Sequence, residues 1–164
     1  MKYFTIIFLV IIIYSAPAIN AQEQDKKLDY FIGEWKSVSI NQPTGEKITG
    51  HSLITRVIGN KWIEWRFRMP HASGELEVIT LINYDEAKKQ YAFYSFNPMD
   101  EEPIPHFGNW IDEKSLQIKT DFGGDVVWVD FVLKDESNFE QIHSHLTSDG
   151  EKEATSITIY TKTD

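Results

Sequence analysis

From Glu34 onward the chain is a succession of short segments in which apolar and polar residues alternate, divided by turn-forming residues. A period of two is what a β-strand with one buried face requires, and no stretch keeps a helical period beyond about two turns. Ten such runs can be read. Glu34–Asn41 stops at Gln42-Pro43-Thr44-Gly45, Thr49–Ile58 at Gly59-Asn60, and Lys61–Met69 at Pro70-His71-Ala72-Ser73-Gly74. Glu75–Tyr84 stops at Asp85-Glu86-Ala87-Lys88, Lys89–Asn97 at the Pro98 to Pro103 stretch, and Ile104–Ile111 at Asp112-Glu113. Lys114–Phe122 stops at Gly123-Gly124, Asp125–Leu133 at Lys134 to Ser137, and Asn138–Thr147 at Ser148-Asp149-Gly150; Glu153–Thr163 is the last run. Loops of hairpin size make consecutive strands pair antiparallel. A meander with an apolar face on most strands can close on itself and lose its edges. The fold expected is therefore all-β, a single antiparallel up-and-down β-barrel of about ten strands.

The first residues carry a different pattern. Phe4 to Tyr14 is almost wholly apolar, Lys2 is the only charge ahead of Glu23, and Ser15-Ala16-Pro17-Ala18 and Ala21 follow. An apolar core of roughly ten residues suits a signal peptide and is short for a bilayer span. Residues 1–21 are read as a signal peptide and 22–164 as one domain, periplasmic or secreted, with no stable membrane insertion after cleavage. The formal charge is −9, and losing Lys2 takes it to −10. A chain so acidic repels phosphate backbones, which argues against nucleic acid as a partner. There is no cysteine, so no disulfide framework stands in for a core. Aromatic residues make up 13% of the chain, enough to fill a barrel and line a pocket.

The junction into the first run is Leu28-Asp29-Tyr30-Phe31-Ile32-Gly33-Glu34-Trp35. In lipocalins and fatty-acid-binding proteins a short helical turn precedes a first strand that opens on Gly-x-Trp, and Gly33-Glu34-Trp35 fits that arrangement. Three further segments extend the likeness: Thr55 to Ile63 as a strand, Gly and bulky strand; Tyr84-Asp85 through Lys89-Gln90-Tyr91; and Asp149-Gly150 followed by Tyr160-Thr161-Lys162. On these residues the chain resembles a bacterial family of secreted lipocalin-like (calycin-type) barrels of unknown function, domain of unknown function 1579. The resemblance covers nearly all of 22–164. It implies a lipocalin-like barrel with a short N-terminal helical turn, with Trp35 plugging its floor, and it brings no catalytic residues.

Several constellations are candidates for a site. In Trp62 to Met69, one face carries Ile63, Trp65, Phe67 and Met69 and the other Trp62, Glu64, Arg66 and Arg68. The apolar face should point inward, leaving Glu64, Arg66 and Arg68 as a solvated ladder. The inverted register would put Arg66 and Arg68 in the lumen, facing a ligand carboxylate. Tyr91, Phe93 and Ser95 share a face, and with Trp128 they supply aromatic walls and a polar handle for a ligand. His143 and His145, two apart on one strand, are weak candidates for metal ligation; they need further ligands from His51, His106 or an acid, and otherwise are exposed polar residues. No cofactor is specified by the sequence.

No nucleophile elbow, phosphate loop or His-Glu-x-x-His motif occurs. The function expected is binding of a small apolar or amphipathic molecule in the lumen. One alternative is a lipocalin-fold hydrolase, isomerase or decarboxylase in which Glu64, Arg66 and Tyr91 converge. Another is a packed barrel acting as a protein-interaction module. Pro98 to Pro105 is either a lid over one mouth or an ordinary surface loop.

Overall fold

The computed structural model describes residues 26–72 and 74–163. The expected signal peptide, residues 1–21, lies outside the described residues. The described residues fall into two units, 26–31 and those from Ile32 onward. In the first, Leu28–Phe31 is a single 3-10 turn, with the Tyr30 ring edge-on to Phe31 at 5.4 Å.

The second unit is a closed ten-stranded barrel. Its strands are β1 (Gly33–Asn41), β2 (Lys47–Val57), β3 (Trp62–His71), β4 (Gly74–Asp85), β5 (Gln90–Phe96), β6 (Ile104–Trp110), β7 (Ser115–Phe122), β8 (Asp125–Asp135), β9 (Asn138–Leu146) and β10 (Lys152–Lys162). Every neighbouring pair is antiparallel and consecutive in sequence, and β1 closes on β10 from Trp35 opposite Lys162 to Asn41 opposite Ser156. Each strand matches one alternating run of the sequence. Turn chemistry sets the hairpins: Asp112 Oδ1 accepts from the backbone N–H of both Lys114 and Ser115 at 2.7 Å, and Asp121 Oδ1 accepts from Gly124 N–H at 2.7 Å. A short polar side chain that binds the backbone two or three residues on favours a turn over continued strand.

Inside, the barrel is unequal along its length. Around the first residue of β1, the inward positions are large and closely packed. Trp35, Ile54, Ile63, Ile82, Tyr91, Leu116, Phe131, Phe139 and Tyr160 are all buried. Phe139 and Tyr160 stack with ring centroids 4.4 Å apart, and Trp35 stands edge-on to Phe139 at 4.8 Å. Trp65 lies above them, 5.8 Å from Phe139, 5.4 Å from Tyr160 and 5.7 Å from Phe131, and its indole N–H donates to Ser52 Oγ at 2.9 Å. Such ring pairs contribute about 0.5–1.5 kcal/mol each beyond the area they bury. This aromatic layer is the barrel floor, and Trp35 sits in it as the Gly-x-Trp motif implies.

Gly33 opens β1 with φ +134°, and a Cβ there would stand 2.9 Å from Lys162 Cε. Only glycine takes that backbone without strain, which accounts for the first letter of the motif. Gly108 on β6 is required for space: a Cβ would meet the Gln117 carbonyl oxygen of β7 at 1.9 Å.

Two stability outcomes follow from these positions. Gly108→Ala must separate β6 from β7 and lowers unfolding free energy by about 1–3 kcal/mol, read by urea denaturation; an unchanged midpoint would show that the close approach is not obligatory. Ile58, an exposed β-branched residue in the β2–β3 turn, has φ 50°. Ile58→Asn relieves a left-handed conformation and raises stability by about 1 kcal/mol in the same measurement.

Candidate functional site

Above the floor, the inward residues become smaller and more polar and leave a cavity of about 290 Å³, partly open to solvent. One wall is apolar: Trp65, Phe67 and Met69 from β3, Val78 from β4, Phe93 from β5, Ile118 from β7, and Val129 and Phe131 from β8. The opposite wall is polar: Ser39 from β1, Gln141 and His143 from β9, and Ser156 and Thr158 from β10. Thr80, Ser95 and His106 add polar groups on β4, β5 and β6. No Asp, Glu, Lys or Arg is among the lining residues.

The polar wall runs against the hydropathy of its strands. On β9 and β10 the outward positions include Ile142, Ile157 and Ile159, while Gln141, His143, Ser156 and Thr158 face the lumen. Register explains it. Phe139 and Tyr160, opposite one another on the same two strands, are held inward by the floor. Because side chains alternate strictly, Gln141, His143 and Thr158 must then also point in. The strand pair shifts register between Ala154 and Ser156, a bulge that leaves Ser156 opposite His143 and on the cavity wall.

Most of the polar lining is engaged within the wall. Ser39 Oγ and Thr158 Oγ1 share a hydrogen bond of 2.8 Å, as do Thr80 Oγ1 and Ser95 Oγ at 3.0 Å. The Tyr160 hydroxyl donates to Gln141 Oε1 at 2.9 Å, and burial raises its pKa well above the usual phenol range, so it remains a donor. His106 Nδ1 is hydrogen-bonded to Thr120 Oγ1. Burial pushes the His106 pKa down to about 4, with a smaller contribution from nearby His143, and burial alone lowers that of His143. Both imidazoles are neutral at pH 7.

The sequence candidates separate accordingly. Trp65, Phe67, Phe93 and Ser95 line the cavity. Tyr91 faces inward but belongs to the floor: it is fully buried, and its hydroxyl accepts from the Trp110 indole N–H at 3.1 Å. Arg66 and Arg68 are on the outer face, which corrects their candidacy as lumen ligands. Arg66 Nη2 reaches Glu64 at 2.9 Å and Nη1 reaches Glu77 at 2.7 Å, and Arg68 Nε lies 2.5 Å from Glu77. Hydrogen bonding and charge from Glu64 raise the Arg66 pKa further, and the Arg68 hydrogen bond holds the Glu77 carboxyl below its ordinary value. The physical reason for this register is the burial of Ile63 and Trp65, each worth about 1.5–3 kcal/mol, with partial cover of Phe67 and Met69, whereas the inverted register would desolvate two guanidinium groups. The proposed convergence of Glu64 and Arg66 with Tyr91 fails for the same reason.

Trp128 is also corrected. It projects outward between two lysines, with Lys152 Nζ 4.1 Å and Lys119 Nζ 5.4 Å from its ring, and so makes no part of the lumen. His143 and His145 do not form a pair: His143 lines the cavity, while His145 is exposed near Glu153, 3.8 Å away. The second imidazole on the cavity is His106, and His51 lies on the outer face opposite Arg68. Among the described residues no three His, Cys, Asp or Glu side chains are grouped to hold a metal ion. Residues 98–103 contribute nothing to the cavity wall, so the Pro-rich segment is a surface connection between β5 and β6 and not its lid. Among the described residues no helix is long and apolar enough to cross a membrane.

No family model matches the chain, and no curated protein matches it. Among solved structures it is similar to the S-type phycobiliprotein lyase CPES from Guillardia theta, with a TM-score of 0.59 at 10% identity, over 85% of this chain and 92% of that one. A redesigned beta barrel, b11L5F_LGL, aligns at TM-score 0.42 and 12% identity, over 86% of this chain and 96% of its own. At 10% identity the first likeness is one of fold, and the barrel is lipocalin-like.

The pH response of the site has a definite sign. His106 is neutral in the folded barrel down to about pH 4, whereas an unfolded histidine gains its proton near 6.5. Between those values the unfolded chain binds the extra proton, so stability falls as pH is lowered, by at most about 1.4 kcal/mol per pH unit. His106→Phe removes this contribution and flattens the stability curve between pH 6.5 and 4. Parallel curves for the two proteins would show that His106 titrates normally.

Proposed function

We propose that this protein is a binding barrel that holds a small, uncharged, largely apolar molecule in the open half of its lumen, without covalent chemistry. The observation that carries the reading is a cavity of about 290 Å³ with one aromatic wall, one hydroxyl- and imidazole-bearing wall, and no ionisable acid, lysine or arginine facing it. Its size is at the lower end of ligand pockets, roughly 300–1,000 Å³. That suits a compact ring system better than a long acyl chain. A ligand carboxylate would enter without a cationic partner, at a cost of several kcal/mol. With Glu64 and Arg66 outside, nothing specific favours the enzymatic alternative, and an open lumen weighs against a barrel that serves only as an interaction module.

Residues 1–21 direct export, 22–164 act in the periplasm or outside the cell, and the chain belongs with the secreted lipocalin-like family that it resembles at Gly33 to Trp35, Tyr84 to Tyr91 and Asp149 to Lys162. These parts rest on the sequence.

The test is fluorescence titration with two dyes of one skeleton, neutral N-phenyl-1-naphthylamine and anionic 8-anilinonaphthalene-1-sulfonate. The neutral dye binds at least about tenfold more tightly, since the cavity offers the sulfonate no cationic partner. Ser95→Trp fills the cavity and abolishes the binding while leaving the melting temperature within a few degrees. Failure of the neutral dye to bind, or binding that survives Ser95→Trp, would overturn the reading.

A further inference from the structure

Two cavity-facing imidazoles are left with hydrogen-bonding capacity that the protein does not use. His106 Nδ1 bonds to Thr120 Oγ1, and that same hydroxyl donates its one proton to the Pro105 carbonyl at 2.9 Å. A hydroxyl has a single hydrogen to give, so the proton in the first bond belongs to the histidine. The relay runs from His106 Nδ1–H to Thr120 Oγ1, and from Thr120 O–H to Pro105 O. In a neutral imidazole with Nδ1 protonated, Nε2 is a bare acceptor. Among the described residues Nε2 has no hydrogen-bond partner, although His106 lies on the cavity wall.

His143, on β9, stands in the same condition. Neither of its ring nitrogens has a hydrogen-bond partner among the described residues, and the side chain lines the same cavity. Between the two imidazoles the wall is Val129 and Ile118, apolar neighbours on β8 and β7. An acceptor fixed by its own relay, an adaptable second imidazole and an apolar saddle between them form a built arrangement. These ring nitrogens open onto the cavity, where water or a ligand must supply the partner that the wall does not. The low pKa of His106 agrees with an imidazole kept neutral and able to accept.

We propose that His106 Nε2, with His143 beside it, recognises a hydroxyl or N–H donor on the ligand, so that the barrel selects neutral ring compounds of the phenol or heterocyclic N–H class. The inference rests on the reading of the lumen as a binding cavity and adds to it the polar end of the ligand. Thr120 is then a positioning residue, since it holds the tautomer that leaves Nε2 free to accept.

The probes are 1-naphthol and 1-methoxynaphthalene, which differ in the donor and little in shape, titrated calorimetrically into the purified protein. The expected result is that naphthol binds about tenfold or more tightly, as for a site whose buried acceptor is left unpaired by the ether. In His106→Phe the two affinities converge to within about twofold, and in His106→Gln, which retains an acceptor oxygen, the preference persists. Long-range ring 1H–15N spectra place the His106 proton on Nδ1 in the wild type, and that signature is lost in Thr120→Val. Equal affinities in the wild type, or a preference that survives His106→Phe, would overturn the inference while leaving the binding cavity standing. Binding of neither probe would overturn both.

Discussion

The stack of Phe139 on Tyr160, with Trp35 and Trp65 packed around it, fixes the register of the strands that matter most. These rings come from β1, β3, β9 and β10, and each must face inward to bury its surface. Once they do, every second residue further along those strands faces inward as well, whatever its polarity. The floor therefore dictates the chemistry of the space above it. It draws Gln141, His143 and Thr158 into the lumen and sets Ile157 and Ile159 outside. A slip by one residue would improve the hydropathy of the upper half of β9 and β10 and expose two of the largest rings of the core.

Charge is sorted by the same geometry. Arg66 and Arg68 alternate with Trp65 and Phe67, so burying the latter commits the guanidinium groups to solvent, where Glu64 and Glu77 take them up. What remains within is uncharged. The polar atoms of the cavity are hydroxyls, most of which pair within the wall, an amide tied to Tyr160, and two imidazoles that burial keeps neutral. Such a lumen can recognise hydrogen-bonding pattern and shape while excluding ions by desolvation.

Much of the fold was legible because alternation and turn residues are local signals. The β3 face was legible too, since Ile63, Trp65, Phe67 and Met69 are uniformly apolar. The polar wall was not. On β9 the apolar Ile142 argues for the wrong face, and only Phe139, at the far end of the same strand, carries the information that decides it. Trp128 misled for a related reason: an aromatic residue on a strand reads as core, yet this one covers the outer face between two lysine stems. His106 was visible as a possible partner for His143 and could not be placed. Its position depends on Phe93 opposite it on β5 and on Thr120 of β7, contacts that no spacing within β6 reveals. The reversed polarity of β9 and β10 is nonetheless a usable signal. Where a local pattern disagrees with the fold it must adopt, the conflict often marks a working surface.

The separation of a closed aromatic floor from a permissive upper lumen has a consequence for how such barrels diverge. Gly33, Trp35, Phe139 and Tyr160 set the fold from one end, while His143 and Ser156 line the other with no side-chain hydrogen bond to the wall among the described residues. Substitutions in the second group can accumulate, or be installed by design, with little feedback on folding. Descendants of one ancestor could thus keep a recognisable signature at the floor while their cargoes drift apart, and conservation of the signature would then record common descent without reporting common cargo.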